Sequence, residues 1–284
     1  MSPAGLILHT LMVLAVGLAL FGLGHLLMNL LLRPARLRDE LFEKDNPAIG
    51  VAVAGYHLGL VLSFGSVLMG DSRGWVDDLV QMSGYGILVV ILYATCGTIA
   101  RGVAIGKLGL VRELTADRNL GLGFVLAGYL LASGSIIHGL LAGQGGGWLA
   151  IPVFFVLGQA VLLAVGLVYG KIVGYHLREE LARGNAAAGL AYGGGLLGMG
   201  LILGEVVSGD FVSWRGSLLG FAAYALGGLI ALPAIRWLID LILAPGVRRS
   251  REIAAEGAAP NLVAGMLEAS SYIAAGLLVA WSVS

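Results

Sequence analysis

Several side chains that can ionise lie within long apolar segments of the chain, where such groups are costly to bury and are therefore candidates for function. Histidine and carboxyl groups in such places can take up and release protons or bind a cation, and phenols can hydrogen-bond to them. The sequence therefore indicates a polar path through an apolar region. Its candidate residues are His57, Tyr192, Glu205, Glu268 and Tyr272.

Two of these residues follow an asparagine at the start of their apolar segment. Glu268 comes seven residues after Asn261 and His57 eleven after Asn46, which in a helix places them about 10 Å and about 16 Å from its start. Positions seven and eleven share one helix face, so four such helices around an axis bring these groups together. The side chains expected to meet there are His57, Tyr192, Glu268 and Tyr272.

Each of these residues also has a structural interpretation. Membrane bundles use polar side chains to bond neighbouring helices, which explains Glu268 as an interhelical group and His57 as a satisfied core histidine. Glu205 lies near the outer ends of the helices, where it lines an outer mouth with His138 or simply reaches water.

A second set of charges lies in the seventh apolar segment. Arg236 and Asp240 are four residues apart, just after Pro233, and so share a helix face. They are predicted to form an ion pair with a structural role beside a proline kink.

The composition places these groups in a membrane. With 58% hydrophobic and 12% charged residues and a mean hydropathy of +0.92, the 284 residues cannot coat a water-soluble domain. The sequence predicts an all-α polytopic membrane protein, with four-helix domains at 1–146 and 147–284. The first run is too long for a signal peptide and is expected to be retained. The eight runs that reach the required ~20 residues are roughly 4–32, 47–69, 79–105, 119–142, 148–175, 185–208, 216–244 and 261–282.

One short pattern begins each even-numbered span: an asparagine followed four residues later by a glycine. The similarity extends further, because 46–71 aligns with 185–210 without a gap at several more glycines. Such recurrence is typical of an array of one small unit. The repeated pairs are Asn46 and Gly50, Asn119 and Gly123, Asn185 and Gly189, and Asn261 and Gly265.

Each of these asparagines is predicted to cap a helix, because its side-chain oxygen can accept from a backbone N–H two or three residues on, worth about 1 kcal/mol. Pro47, at the first helical position after Asn46, supports this interpretation. A second interpretation stays open, in which the four helix N-termini converge on a cytoplasmic vestibule and attract anions.

Small residues recur at fixed positions after each asparagine. In lipid this spacing lets backbones approach closely, so the even-numbered spans are predicted to form a tightly packed inner layer. Room for a substrate, or helix kinks, are the alternative interpretations of the 46 glycines. The predicted packing glycines are Gly50, Gly55, Gly123, Gly128, Gly189, Gly194 and Gly265.

Basic residues are concentrated in the linkers that precede the asparagines, whereas the opposite loops hold only Arg73 and Arg215. Because basic residues stay in the cytoplasm, both termini are predicted outside it, with four two-helix units pointing the same way. Each linker also carries a glutamate before an apolar residue, which indicates either an interfacial amphipathic turn or a helix end. These glutamates are Glu40, Glu113, Glu180 and Glu252.

Two segments carry a family resemblance: Glu40-Leu-Phe-Glu-Lys-Asp-Asn46-Pro-Ala-Ile-Gly50, and 180–195 with its three final glycines. They resemble the signature of the YjfL-like bacterial inner-membrane family, domain of unknown function 350, here in two tandem copies. The resemblance implies a multi-pass plasma-membrane protein, sometimes encoded near membrane-stress and polyamine-related genes, and transfers no catalytic residue. The fourth unit departs from the pattern at Glu268 and Ser270.

Two functions fit these features. The first is a channel or transporter for a small ion or solute along the axis between the even-numbered spans, because intramembrane ionisable groups lie on small-residue faces. The alternative is a non-transporting membrane-stress or scaffold component that senses the bilayer and docks a cytoplasmic protein through the basic linkers.

Other classes are not expected. The chain has no hydrolase or metalloprotease motif, so no enzyme activity is predicted, and a net charge of zero gives no field for nucleic acid. Cys96 is the only cysteine, and no metal or cofactor is predicted. The expected partners are lipids, a cytoplasmic protein and a second copy of the chain. Haem ligation stays open at His25, His57, His138 and His176.

Overall fold

A computed structural model describes residues 3–33, 35–70, 72–103, 109–143, 145–243, 245–254 and 259–283. All regular elements in these ranges are helical, and eight helices are long and apolar enough to span a membrane, which confirms the predicted class. The long helices are α1 (Pro3–Leu31), α2 (Pro47–Leu68), α3 (Trp75–Val103), α5 (Leu120–Ala142), α6 (Gly147–Ile172), α8 (Ala186–Ser208), α9 (Trp214–Leu243) and α11 (Leu262–Val283).

A short helical segment lies in each linker before an asparagine. In the first linker it is a π-helical turn at Asp39–Glu43, and in the others it is α4 (Leu110–Thr115), α7 (Leu177–Ala182) and α10 (Arg249–Ala254). We refer to α2, α5, α8 and α11 as the inner helices and to α1, α3, α6 and α9 as the outer helices.

The inner helices lie in a row. Their extensive contacts join α2 to α5, α5 to α8 and α8 to α11, which leaves α2 and α11 at the two ends. This row differs from the cluster around one axis that the sequence predicts. The α5–α8 contact also joins the two predicted domains into one bundle.

The contacts within the row repeat at the same positions counted from each asparagine. Positions two, nine and thirteen of one inner helix lie against positions four, eight and fifteen, respectively, of the next inner helix. Each inner helix thus has two contact faces, one at positions two, nine and thirteen and one at positions four, eight and fifteen. At about 100° per residue these two faces are roughly 140° apart around the helix. A closed cluster of four helices needs about 90°, so the row is a shallow arc.

Glycine makes this approach possible, because a Cβ atom at the contact would overlap the neighbouring backbone. A Cβ on Gly128 would meet the backbone of Gly193, and one on Gly55 would meet that of Ala127. Gly50 is different: it lies on the free side of α2, where an added Cβ has no neighbour within 4 Å. The other predicted packing glycines at inner-helix contacts are Gly123, Gly189, Gly194 and Gly265.

The asparagines join successive units. Asn119 Oδ1 accepts from the backbone N–H of Leu122 at 3.0 Å, so it caps α5. Its amide Nδ2 donates to Glu113 Oε2 at 3.1 Å and to the backbone carbonyl of Leu181, in the next linker, at 2.7 Å. Successive linkers therefore touch, and all four lie at one end of the bundle.

The same bonds occur at the neighbouring units. Asn46 donates to Glu40 and to the carbonyl of Leu114, and Asn185 donates to Glu180 and Ile253. Because these asparagines are buried and bonded within the protein, they do not line an open vestibule.

One carboxylate of this network has a shifted pKa. Burial alone raises the pKa of Glu40. Hydrogen bonds from Lys44 and Asn46, together with the charges of Lys44 and Arg118, outweigh burial and hold the pKa below its usual value. Glu40 therefore accepts these bonds as a carboxylate at neutral pH.

Three of the four outer helices each cover the groove between two consecutive inner helices. The helix α3 contacts α2 and α5, α6 contacts α5 and α8, and α9 contacts α8 and α11. The first outer helix, α1, contacts α2 and α3. At each of these three grooves, two inner helices and one outer helix therefore enclose the space between the layers.

A matched pair of glycine substitutions tests the close contact. Gly128→Ala should lower the free energy of unfolding by about 1–3 kcal/mol, because the new methyl group meets the Gly193 backbone. Gly227→Ala, on α9 where nothing lies within 4 Å, should leave stability unchanged or raise it, since alanine favours helix. Thermal unfolding in detergent measures both; equal loss of stability in the two variants would contradict the contact.

A second pair of substitutions tests the asparagine bridge. Asn185→Asp keeps the capping oxygen but removes the N–H donors and places a second carboxylate beside Glu180, so unfolding should become easier by about 2–4 kcal/mol. Asn261→Asp, at the exposed last asparagine, should change stability by less than about 1 kcal/mol. The prediction fails if the unfolding midpoints of the two variants coincide.

Candidate functional site between the inner and outer helices

A buried charge pair lies where α11 meets two outer helices. Glu268 Oε2 accepts from Arg236 Nη2 of α9 at 2.8 Å, and Oε1 accepts from the hydroxyl of Tyr169 of α6 at 2.9 Å. The Glu268 side chain is 0% exposed and that of Arg236 is 16% exposed. Both carboxylate oxygens are therefore bonded, which offsets much of the cost of burying the charge.

Tyr169 lies at the centre of an aromatic cluster. Its ring centroid is 5.2 Å from that of Tyr192 and 5.8 Å from that of Tyr272. Its hydroxyl is 3.3 Å from the hydroxyl of Tyr175, which lies in the linker after α6. Burial, and then the nearby charge of Glu268, raise the pKa of Tyr175, so its hydroxyl stays protonated at neutral pH. A chain of hydrogen-bonding groups thus leads from the linker to Glu268.

Three of the five predicted path residues, Glu268, Tyr192 and Tyr272, meet at Tyr169. Glu268 accepts a hydrogen bond from the Tyr169 hydroxyl, and the rings of Tyr192 and Tyr272 pack against the Tyr169 ring. They do so because positions seven and eleven of an inner helix face the outer layer. The sequence predicts instead that these positions face a central axis between the inner helices. They do not, because the inner helices form an arc and turn these positions toward the outer helices.

His57 lies elsewhere, at the α2 end of the row. Its Nε2 is 3.1 Å from Nδ1 of His25 on α1, and its ring centroid is 4.8 Å from that of Phe21. The half-buried imidazole pair is therefore a separate polar contact between α1 and α2.

Glu205 also lies apart from the cluster, half-buried near the end of α8 that is opposite the linkers. His138, its predicted companion, accepts at Nδ1 from the backbone N–H of Ser66 at 3.1 Å. His138 lines a cavity at the outer ends of the helices, whereas Glu205 is not among its lining residues.

Arg236 forms an ion pair that the sequence does not predict. The sequence pairs it with Asp240, whose side chain lies outside the described residues, and the described ion pair is with Glu268. Sequence spacing finds partners on one helix, but Glu268 is on another.

Two cavities lie along the space between the two layers of helices. We call the one nearer the linkers the inner cavity and the one nearer the opposite ends of the helices the outer cavity. The inner cavity, about 630 Å³, is lined by Tyr129, Leu162, Gly166 and Tyr192, and His176 and Arg178 lie at its linker end. Tyr192 is the side chain between this cavity and Tyr169. The outer cavity, about 1180 Å³, includes Phe154, His138 and Arg73 in its lining.

A polar contact separates the two cavities on α6. Phe154 lines the outer cavity and Leu162 the inner one, and Gln159 lies between them. The hydroxyl of Tyr129 donates to Gln159 Oε1 at 2.6 Å. Gln159 is 3% exposed, and its Nε2 has no hydrogen-bond partner among the described residues, which leaves a buried donor available to a ligand or water.

Sequence reasoning missed Tyr169, Tyr175 and Gln159. All three lie in or just after an odd-numbered span, whereas the Asn-x-x-x-Gly pattern marks the even-numbered spans. Gln159 carried a usable signal, because an amide within a long apolar run needs a partner.

A double-mutant cycle tests the buried pair. Arg236→Met leaves Glu268 buried without its cation and should lower the free energy of unfolding by about 3–5 kcal/mol. Combining Arg236→Met with Glu268→Gln removes both charges and should recover most of that loss. Arg215→Met, at an exposed arginine, is the control. A double variant no more stable than the single one, by thermal unfolding, would contradict the pairing.

Comparison with known proteins agrees with this architecture. A family model described as Domain of Unknown Function (DUF350) matches residues 1–141 and again 145–283. The UPF0719 transmembrane protein of Aquifex aeolicus (strain VF5) is 24% identical over 253 residues, which cover 88% of this chain and 90% of that protein. No solved structure matches the chain significantly. Because the two family matches together span nearly all of the sequence, the protein belongs to the DUF350 family of membrane proteins and contains two tandem copies of its domain.

Proposed function

We propose that the protein is a non-enzymatic transporter that moves a small ion or solute across the membrane, with proton exchange at Glu268. The observation that carries this proposal is a carboxylate–guanidinium pair inside the membrane, with Glu268 fully buried and Arg236 16% exposed. Two aromatic side chains, Tyr169 and Tyr192, lie between this pair and a cavity. Intramembrane charges of this kind mark ion and substrate pathways more often than they serve stability.

The route runs between the inner and outer helices. The inner helices pack backbone to backbone and leave no passage between them. The concave side of the arc, at positions five, twelve and sixteen of each inner helix, is mostly apolar, with Leu58 and Leu62 on α2 and Leu197 and Leu201 on α8. Glu268, Arg236, Gln159 and the tyrosines bonded to them lie on the opposite, outer-facing side, so that side supplies the route.

Two groups control movement along this route. The contact between Tyr129 and Gln159 closes the path between the outer and inner cavities. On the other side of the inner cavity, a proton or cation that reaches Glu268 competes with Arg236 for the carboxylate. Loss of the ion pair frees α9 from α11, which supplies a two-state element for alternating access.

The distribution of basic residues supports one orientation in the membrane. Four linkers rich in arginine lie at one end of the bundle, and the opposite loops hold Arg73 and Arg215. We place the linker end in the cytoplasm and both chain termini outside it, in the bacterial plasma membrane.

A proton-flux measurement tests this proposal. Purified protein is placed in liposomes that contain the pH dye pyranine, with a pH gradient and a potassium–valinomycin potential. The wild type should dissipate the gradient at least ~10-fold faster than empty liposomes, and Glu268→Gln should return the rate to the empty-liposome level, because the proton acceptor is gone.

Glu205→Gln is the matched control, since this carboxylate is half-buried and outside the cluster. It should keep the wild-type rate. A wild-type rate equal to that of empty liposomes, or a folded Glu268→Gln protein with undiminished flux, would refute proton-coupled transport.

A second candidate function is docking of a cytoplasmic protein or anionic lipid at the linkers. It is favoured by exposed basic side chains there, such as Arg112 at 82% and Arg183 at 69% exposure. Arg249 does not contribute, because it is buried and donates to Ser271. A folded protein without flux would favour this candidate.

A further inference from the structure

The row of inner helices has an open face at each end, on α2 and on α11. The equivalent face of every other inner helix is covered by a neighbouring inner helix. On α2, positions four, eight and fifteen are those that contact a preceding inner helix in the other units. Here Gly50 has nothing within 4 Å, Ala54 is exposed and Val61 is 54% exposed. The equivalent residues of α5, including Gly123 and Ala127, are buried against α2.

The opposite face is open on α11. Positions two, nine and thirteen contact a following inner helix in the first three units. In the fourth unit they are Val263, Ser270 and Ala274, and all three are exposed. Both ends of the arc therefore present the half of an interface that the chain forms three times within itself.

The hydrogen bonds between linkers also leave open positions at the two ends of the row. The amides of the first three asparagines donate to a carbonyl of the next linker, but within the described residues Asn261 Nδ2 donates to Glu252 at 3.2 Å and to no backbone carbonyl. At the other end, Leu41 corresponds to the acceptor residues Leu114, Leu181 and Ile253. Those three are buried, whereas Leu41 is partly exposed. A donor is left over at one end and an acceptor position at the other.

We propose that two copies of the chain close into one ring, with α11 of each copy packed against α2 of the other. Neighbours that meet at roughly 140° form a ring of eight or nine members, and two copies supply eight inner helices. A repeated head-to-tail interface that closes in this way gives a discrete assembly and not a filament.

The facing residues fit at each level of this contact. Continuing the internal register places Val263 against Gly50, Ser270 against Ala54 and Ala274 against Val61, so each level pairs a small residue with a small or medium one. Glycine is present at one level, whereas every level of the internal contacts has one. The helices between copies therefore stand further apart than those within a chain, as suits a contact between subunits.

The position of α1 agrees with this arrangement. The other outer helices each cover a groove between two inner helices, but α1 touches only α2 of the inner layer through its extensive contacts. Only 6% of its spanning window is buried, the lowest share among the eight spans described. In the ring, α1 covers the groove between α2 and the partner's α11.

Cysteine cross-linking in membranes tests the ring. In a Cys96→Ser background, a chain with Ala54→Cys and Ser270→Cys should form a covalent dimer on oxidation. The yield should exceed by at least ten-fold that of the control pair Leu58→Cys and Leu278→Cys, which are highly exposed on other faces of the same helices. Chains with either Ala54→Cys or Ser270→Cys alone should stay monomeric on oxidation.

The other outcomes each overturn the proposal. A ladder of trimers and longer species would mean that the contact does not close at two copies. Cross-linking of the single-cysteine chains would mean a face-to-face dimer, and dimer yields no higher than the control would mean that the faces do not meet. As a second measurement, native mass spectrometry should find two chains for the wild type and for Leu58→Trp, and one chain for Ala54→Trp.

Discussion

The contact of one helix backbone with the next, at positions where glycine or alanine replaces a larger side chain, determines the rest of this structure. Between helices in lipid there is no hydrophobic drive, so close packing and hydrogen bonds must hold units together. Positions such as Gly128 and Gly194 supply the packing, and the buried asparagines supply a hydrogen bond from each unit to the next linker. The two contact faces of each inner helix are roughly 140° apart, and that angle makes an arc of the four units.

The arc also decides where chemistry can occur. With both flanks of an inner helix used for packing, two sides remain: the apolar concave side and the side toward the outer helices. Positions seven and eleven point to the outer helices, so Glu268 meets Arg236 and Tyr169 there and not another inner helix. The two cavities lie on this same side. The charged groups and the open space are thus brought together by the same packing that closes the inner layer.

Much of the fold was accessible from the sequence, because hydropathy and the Asn-x-x-x-Gly repeat act locally. The span starting at Pro47, its cap at Asn46 and the contact at Gly55 follow from such local rules. The arc was not accessible, since it depends on the angle between two contact faces of each inner helix. Small residues at fixed spacing predict close packing but not which neighbour lies on each face. The ion pair between Arg236 and Glu268 was not accessible either, because spacing finds partners on one helix. Glu268 comes 32 residues later and is brought near by the α9–α11 contact.

The most direct test of this account is the distance between the two ends of the row in one chain. Spin labels at Leu58→Cys and Leu278→Cys, with labelled protein diluted into unlabelled protein, report that distance by pulsed electron paramagnetic resonance. With helix axes spaced by about 8–10 Å, an arc of four helices separates α2 from α11 by roughly 20 Å or more. A closed cluster of four would instead bring the two axes within roughly 10–14 Å, and that shorter distance would contradict the arc.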